Sequence, residues 1–277
     1  MHRHKLVFGH GATCAEDEAA WLLSYACRLK PAQIVARPGR LIDRRQLQRA
    51  NALIARRIAQ RTPAAYIIGE AWQCGVRFKV DERVLVPRSF IGELLPTLGW
   101  LLPKAPRRIL DLCTGCGCLG ILAARQFKRS VVDLVDLSEP ALEVANANIN
   151  RFRLGHRVRI FRSDLFSEVR TRSYDLIVTN PPYVKTASMK RLPPEYRAEP
   201  CIALAGGAQG LDLVNRILAD AGSHLSENGI LLMEIGHNRA ALERRYPGIA
   251  FTWLETASGT DHVVALEAWQ LRGLPGS

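Results

Sequence analysis

Long apolar runs are missing from this 277-residue sequence. The best candidate, residues 90–102, is broken by Glu93 and Pro96 and is too short to span a bilayer, so no membrane partner is expected. Residues 1–11 are polar and lack the apolar core of a secretory signal. Cysteines are seven, an odd number, and are not spaced as a disulfide framework. A reducing, cytoplasmic location is the simplest expectation. Aromatic residues are only 7%, yet 48% of the chain is hydrophobic and 23% charged. That balance excludes disorder and collagen-like repeats and suits a large domain with a smaller companion.

Acidic residues are also scarce, 26 against 38 basic, for a net charge of +12. The deficit is uneven: residues 1–88 hold 16 basic and 7 acidic residues, a net of +9, which leaves +3 for the remainder. Such an excess makes a phosphate-rich partner an option.

The first third is helical in pattern. Trp21, Leu22, Tyr25 and Leu29 form one stripe over Glu16–Leu29. Asp43 caps a helix to about Gln60, with Leu47, Ile54 and Ile58 facing inward. Arg44, Arg45, Arg49, Arg56, Arg57 and Arg61 spread over the remainder as a solvated face. Residues 71–74 and 77–80 predict a hairpin. From Arg107 strands alternate with helices: 109–112, 131–135, 157–161, 175–179, 230–234 and 262–266 are strands. Helices are predicted from Leu119 to Gln126, from a Ser138 cap to about Arg151, and from Leu211 to Leu225. This order implies an α/β fold with a parallel sheet covered on both faces.

Gly115, Gly117 and Gly120 fit G-x-G-x-x-G after a strand, with Asp136 nineteen residues beyond Gly117, as in dinucleotide-binding loops. Asp111, at the preceding strand end, would repel a pyrophosphate and suits a cationic ligand group such as those of S-adenosylmethionine. Asp136 can accept from ribose hydroxyls with either ligand. Cys113, Cys116 and Cys118 raise a metal or iron–sulfur reading. No second C-x-x-C follows, so these cysteines read as small pocket side chains and no metal is expected.

After the strand 175–179 comes Asn180-Pro181-Pro182-Tyr183. Two prolines fix the backbone and contribute carbonyl oxygens without N–H donors, and Asn180 adds an amide acceptor. Converging acceptors can hold a planar –NH2 group with its nitrogen towards a methyl donor. Tyr183 can stack on a flat group. No competing Ser/His/Asp order or Walker loop is present.

The tetrad resembles the Asn/Asp-Pro-Pro-Tyr motif of amino methyltransferases acting on adenine, cytosine or glutamine amide. With Asp111-Leu-Cys-Thr-Gly-Cys-Gly it implies S-adenosylmethionine as cofactor. Leu85-Val-Pro-Arg-Ser-Phe-Ile-Gly-Glu-Leu and Glu195-Tyr-Arg-Ala-Glu-Pro are similar to the protein glutamine N(5)-methyltransferases of the HemK/PrmC-like family. Ala71-Trp-Gln-Cys-Gly, Val80-Asp-Glu-Arg-Val-Leu-Val-Pro-Arg-Ser and Phe251-Thr-Trp-Leu-Glu resemble its PrmB type, which modifies a glutamine of the third large-subunit ribosomal protein. The sister type acting on release factors usually reads Pro-Arg-Pro-Glu-Thr-Glu where this chain has Pro87-Arg88-Ser89-Phe90-Ile91-Gly92.

The resemblance implies a Rossmann-like class I methyltransferase sheet of seven strands, the last antiparallel. It also implies a small N-terminal helical recognition domain (1–68), a hairpin linker (69–92) and a catalytic domain (93–277). It places Asp111, Cys113, Thr114, Gly115, Cys116, Gly117, Asp136, Leu137, Asp164, Leu165 and Asn180 at the cofactor. Asn180, Pro181, Pro182 and Tyr183 are the catalytic set, and Pro87, Arg88, Asn180 and Tyr183 bind substrate. Cys116 stands where the family usually has Ser or Thr, and Phe90 where it often has Pro. The alternatives are the same reaction on release factors, an adenine methyltransferase on nucleic acid, and a non-catalytic ribosome-assembly factor. The basic first third is expected to contact ribosomal RNA in an assembly intermediate.

Overall fold

The computed structural model describes residues 1, 4–37, 39–170, 173–257 and 259–272. The chain opens with four helices, α1 (Ala15–Ala26), α2 (Pro31–Val35), α3 (Arg44–Gln60) and α4 (Ala64–Ile68). Asp43 caps α3 by accepting from the Gln46 N–H at 2.7 Å, while Gln46 answers the Asp43 N–H at 3.0 Å. That reciprocal capping box fixes the helix start where a lone aspartate signalled it. A hairpin follows, β1 (Glu70–Gln73) against β2 (Val76–Lys79), with Ala71 and Phe78 on its buried face.

The inward faces of α1 and α3 differ from expectation. Leu47 is 48% exposed and Tyr25 47%, whereas Arg57 is wholly buried. The buried face of α3 runs through Ala50 and Arg57, with Leu53 and Ile54 packed beside it. Burial is set here by an ion pair: Arg57 Nε donates to Glu18 Oε1 at 2.6 Å, and Glu18 holds the facing position on α1. A charge at a core position is stable only with such a partner, and hydrophobic periodicity cannot announce it.

After α5 (Ile91–Leu94) and a 3-10 stretch (Leu95–Trp100) comes the sheet. Its strands are β3 (Arg108–Leu112), β4 (Val131–Asp136), β5 (Val158–Arg162), β6 (Tyr174–Thr179), β7 (Leu225–Glu234), β8 (Thr252–Thr256) and β9 (Gly259–Glu267). They lie in the order β5-β4-β3-β6-β7-β9-β8. β3 to β7 pair in parallel, and β9 runs antiparallel between β7 and β8. The antiparallel strand is as expected. Sequence periodicity did not mark β8, a short edge strand with one buried residue, Leu254.

The connecting helices are α6 (Cys118–Gln126), α7 (Glu139–Arg151), α8 (Thr186–Met189), α9 (Pro194–Arg197), α10 (Asp212–His224), α11 (Arg239–Arg245) and α12 (Ala268–Leu271). Alternate strand residues feed two cores. Ile109, Leu134 and Leu176 join a core that also holds Leu119, Ile121 and Val144. Leu110, Val135 and Ile177 join one with Val214, Ile217 and Leu218. This is the two-sided burial that a parallel sheet requires. The strand order reverses between β3 and β6, so the loops after these strands diverge and leave a crevice at their carboxyl ends.

Candidate active site

The loop after β3 wraps the first turn of α6. Cys113, Gly115 and Gly117 take left-handed backbone, φ 56, 55 and 82°. Asp111 closes the loop from below: its Oδ2 accepts from Thr114 Oγ1 at 2.5 Å and from the Gly120 N–H at 2.8 Å. Gly120 is required by that approach, because a Cβ there would collide with Leu134 Cδ2 and lie 3.1 Å from Asp111 Oδ2. Asp111 Oδ1 is buried and has no partner. Burial raises the Asp111 carboxyl to about 7 against the pull of these hydrogen bonds, with the neighbouring Asp136 charge adding to the rise.

Asp136, ending β4, accepts from the Gly115 N–H at 2.8 Å and the Ser138 N–H at 2.9 Å. Burial also raises its carboxyl above the ordinary range. These bonds join the glycine loop to the β4 end, and Ser138 caps α7 by accepting from the Ala141 N–H. Asp164 follows β5 and pairs with Arg216 at 2.8 Å. Leu165 beside it takes φ 50°. Cys113 and Leu165 thus both hold unfavourable left-handed conformations at the edge of one crevice, where strained backbone tends to gather.

That crevice is lined by Cys113, Gly115, Asp136, Leu137, Asp164, Leu165, Asn180 and Pro182, all of which sequence reasoning had placed at the site. Asp111, below the loop, and Thr114, Cys116 and Gly117 within it are off the crevice lining. Cys116 is packed in the apolar core, and its carbonyl accepts from Asn148 Nδ2 at 2.9 Å. Pro181, Tyr183, Pro87 and Arg88 are also off the crevice lining. Arg83, Leu85, Ile202, Ala203 and Leu213 line it unforeseen. Arg83 and Leu85 stood in a quoted motif, but nothing in their spacing indicated which way they face.

Asn180 Oδ1 is buried in the crevice wall and has no hydrogen-bond partner. The tetrad is braced from behind. Tyr183 Oη donates to Glu234 Oε1 at 3.1 Å, and Asn238 Nδ2 donates to the Tyr183 carbonyl at 3.0 Å. Gly236, at φ 53°, lies so close that a Cβ would come 2.5 Å from the Tyr183 ring. Glu234 also accepts from Ser89 Oγ at 2.7 Å and the Phe90 N–H at 3.0 Å, tying the 87–92 segment to the tetrad. Phe90 stacks on His262, with ring centroids 5.4 Å apart. Glu234 was not foreseen, since a glutamate at a strand end carries no motif. Its burial shifts its carboxyl upward.

The remaining ties come from the N-terminal third of the chain, from α3 and its end, the segment before α1 and the segment after the hairpin. Arg57 Nη1 lies 3.3 Å from Glu195 Oε1, and Arg61 Nη2 lies 2.9 Å from the same oxygen. Glu199 accepts from Arg88 and from the Val86 N–H, and His10 Nε2 lies 3.4 Å away. Burial opposes ionisation of Glu199, but the His10 and Arg88 side chains outweigh it and hold the carboxyl at about 2.

The donor set fits a ligand without phosphate. Asp136 and Asp164 line the crevice with Asp111 just behind, and Arg83, a cation on its wall, is already paired with Asp81 and Glu143. A pyrophosphate would meet carboxylates, whereas ammonium, sulfonium and ribose hydroxyls would be favoured. The orphaned Asn180 Oδ1 calls for a donor such as an amide N–H. S-adenosylmethionine and a substrate amide therefore suit the residues present. Among the described residues no three His, Cys, Asp or Glu side chains converge as metal ligands. No helix among them is long and apolar enough to cross a membrane.

Residues 94–192 match the methyltransferase small domain family, and residues 9–69 match the PrmC N-terminal domain family. The chain is 46% identical to the ribosomal protein uL3 glutamine methyltransferase of Bordetella pertussis, over 98% of this chain and 92% of that protein. It is 44% identical to the protein of that name from Neisseria meningitidis serogroup B, over 97% and 89%. Among solved structures, the hMettl16 catalytic domain with MAT2A 3'UTR hairpin 1 aligns at TM-score 0.56 and 17% identity, over 80% of this chain and 79% of that one. A methyltransferase from Pyrococcus furiosus aligns at 0.51 and 18%, over 80% and 98%. These two likenesses concern the fold alone.

Proposed function

The chain belongs to the ribosomal protein uL3 glutamine methyltransferase family, and we propose that it methylates the side-chain amide nitrogen of a glutamine in the third large-subunit ribosomal protein, in the cytoplasm, with S-adenosylmethionine as methyl donor. The observation that carries this reading is Asn180 Oδ1, a buried acceptor without a partner in the crevice wall at the end of β6.

The cofactor's place is against Cys113–Gly117, Asp136, Leu137, Asp164 and Leu165. Bound there, it supplies an electrophilic methyl group on a sulfonium. Asn180 Oδ1 accepts one N–H of the glutamine amide and so fixes the orientation of its nitrogen. As the N–CH3 bond forms and the S–CH3 bond breaks, the same oxygen would stabilise the positive charge growing on that nitrogen, which is discharged by loss of an N–H proton to solvent. Pro181 and Pro182 hold the backbone of the tetrad without adding competing N–H donors. Tyr183, braced by Glu234 and Gly236, sets the tetrad's position from behind; Arg88, bound to Glu199, positions the segment beneath it. Residues 1–68 recognise the substrate, residues 69–92 link, and residues 93–277 carry the chemistry. The substrate is presented within an assembly intermediate that also carries ribosomal RNA.

The test offers methyl-labelled cofactor with purified third large-subunit protein, assembly intermediates, a release factor and DNA in parallel. Label in a glutamine of the ribosomal protein is expected. Label confined to the release factor or to DNA would overturn the substrate assignment.

A further inference from the structure

Beyond the crevice, a long depression crosses the N-terminal helices. One end, about 850 Å³, lies between the end of α1 and the middle of α3 and is lined by Arg28, Lys30, Arg49, Arg56 and Arg77 with Tyr25 at its edge. The other end, about 560 Å³, is lined by Trp21, Trp72 and Lys30, with Asp17 also on its wall. A third hollow, about 170 Å³, shares Tyr25, Lys30 and Arg77 with the first and Trp21, Lys30 and Trp72 with the second, and has Glu70 on its wall. Tyr25 and Trp72 are exposed although large and apolar. Trp72 and Arg77 are direct cross-strand partners on one face of the hairpin.

Of the five cations, only Arg77 has a carboxylate within ion-pair distance among the described residues, Glu70 at 3.1 Å. Glu70 also binds Arg151 of α7 at 3.0 Å, so the depression is fastened to the catalytic sheet. Arg28 and Lys30 follow the C-terminus of α1, where cations complement the helix dipole. That explanation does not reach Arg49, well inside α3, nor the exposed rings; Arg56, nearer the end of α3, donates to Gln60 Oε1 at 2.9 Å and has no carboxylate partner among the described residues.

We propose that this depression binds an unpaired RNA strand, its phosphates along Arg28, Lys30, Arg49 and Arg56 and its bases against Tyr25 and Trp72. Unpaired cations in a groove with aromatic faces beside them are what a single strand needs, since every base has a face to stack. A duplex would leave the rings unused, and so would an acidic protein segment. The inference rests on the ribosomal-protein reading for its biological setting, because an assembling particle presents protein substrate and RNA together. RNA binding itself is measured without methyl transfer, so the two fail separately.

The experiment titrates the full chain against a labelled oligouridylate of about ten nucleotides at several salt concentrations. Binding should weaken with salt, and R28Q and R49Q should each reduce the log–log slope by about 0.7. Y25A should weaken binding about tenfold and leave the slope unchanged. All three variants should keep the urea unfolding midpoint of the unaltered chain, since each replaces an exposed side chain. Absence of binding, unaltered binding by the three variants, or equally tight binding of polyglutamate with the same losses would overturn the proposal; the last result would point to an acidic protein partner. Intact RNA binding with no methylation of ribosomal protein would leave this surface standing and remove the proposed substrate.

Discussion

Glu199 holds Arg88 through both carboxylate oxygens, Nη1 to Oε1 at 2.6 Å and Nη2 to Oε2 at 2.8 Å, across 111 positions of chain. The segment after the tetrad and the segment after the hairpin are thereby clamped together. The carboxylate is wholly buried, and the guanidinium also stands 5.5 Å from the centre of the Tyr196 ring.

This clamp has an acid limit. The folded carboxyl of Glu199 lies at about 2, below its ordinary value of 4.5. Its stabilisation is therefore fully present above about pH 5 and lost as pH falls towards 2, roughly 3 kcal/mol in all. Urea unfolding from pH 6 to pH 3 should show about 2 kcal/mol of this loss, and Glu199→Gln should flatten the profile while lowering stability at neutral pH. An unchanged pH profile in the variant would assign the acid sensitivity elsewhere.

Arg57→Ala should cost about 3–5 kcal/mol, because Glu18 would remain buried without its closest counter-ion. Substitution of the exposed Arg45 to Ala should cost under about 0.5 kcal/mol. Chemical denaturation of both variants measures the difference. Similar values for the two would mean that Arg57 behaves as a solvated surface arginine.

On the proposed role of its amide oxygen as an acceptor while charge develops, Asn180→Ala should reduce kcat at least about 100-fold. Cofactor affinity, followed by calorimetry, should stay within a few-fold. Asp136→Ala should show the converse, weakened cofactor binding as the main defect. Equal loss of binding in both variants would count against separate roles.

Asp111, with its carboxyl at about 7, should make cofactor affinity pH-dependent. A cationic ligand favours the ionised form, so affinity should rise from pH 6 to pH 8 with release of a proton on binding below pH 7. Calorimetry in buffers of different ionisation enthalpy counts that proton. Flat affinity over this range would separate Asp111 from the ligand's charge.

The parallel sheet, the capped helices and the crevice were legible because each has a local signature: alternating strand and helix periods, Asp43 and Ser138 before helical runs, glycines at φ values that favour them. The ends of β3, β4 and β6 could be read as one site since a parallel sheet brings its carboxyl ends together. What escaped was non-local. Arg57 looked like one more surface arginine, because the glutamates that bury it stand 39 and 138 positions away. The brace behind Tyr183 is equally non-local: its hydroxyl donates to Glu234, 51 positions away, and its ring lies close against Gly236. Leu47 and Tyr25 fitted an apolar stripe by number, but the true stripe was rotated by a buried ion pair.

Glu195 and Glu199 occupy one short stretch beyond the tetrad, and between them they take counter-ions from the first helices and from the segment after the hairpin. A graft of some other helical module ahead of this sheet would need to bring its own cations to the same spots, or leave Glu195 unneutralised in a dry interior. Retargeting this scaffold is thus a matter of charge inheritance as much as of shape.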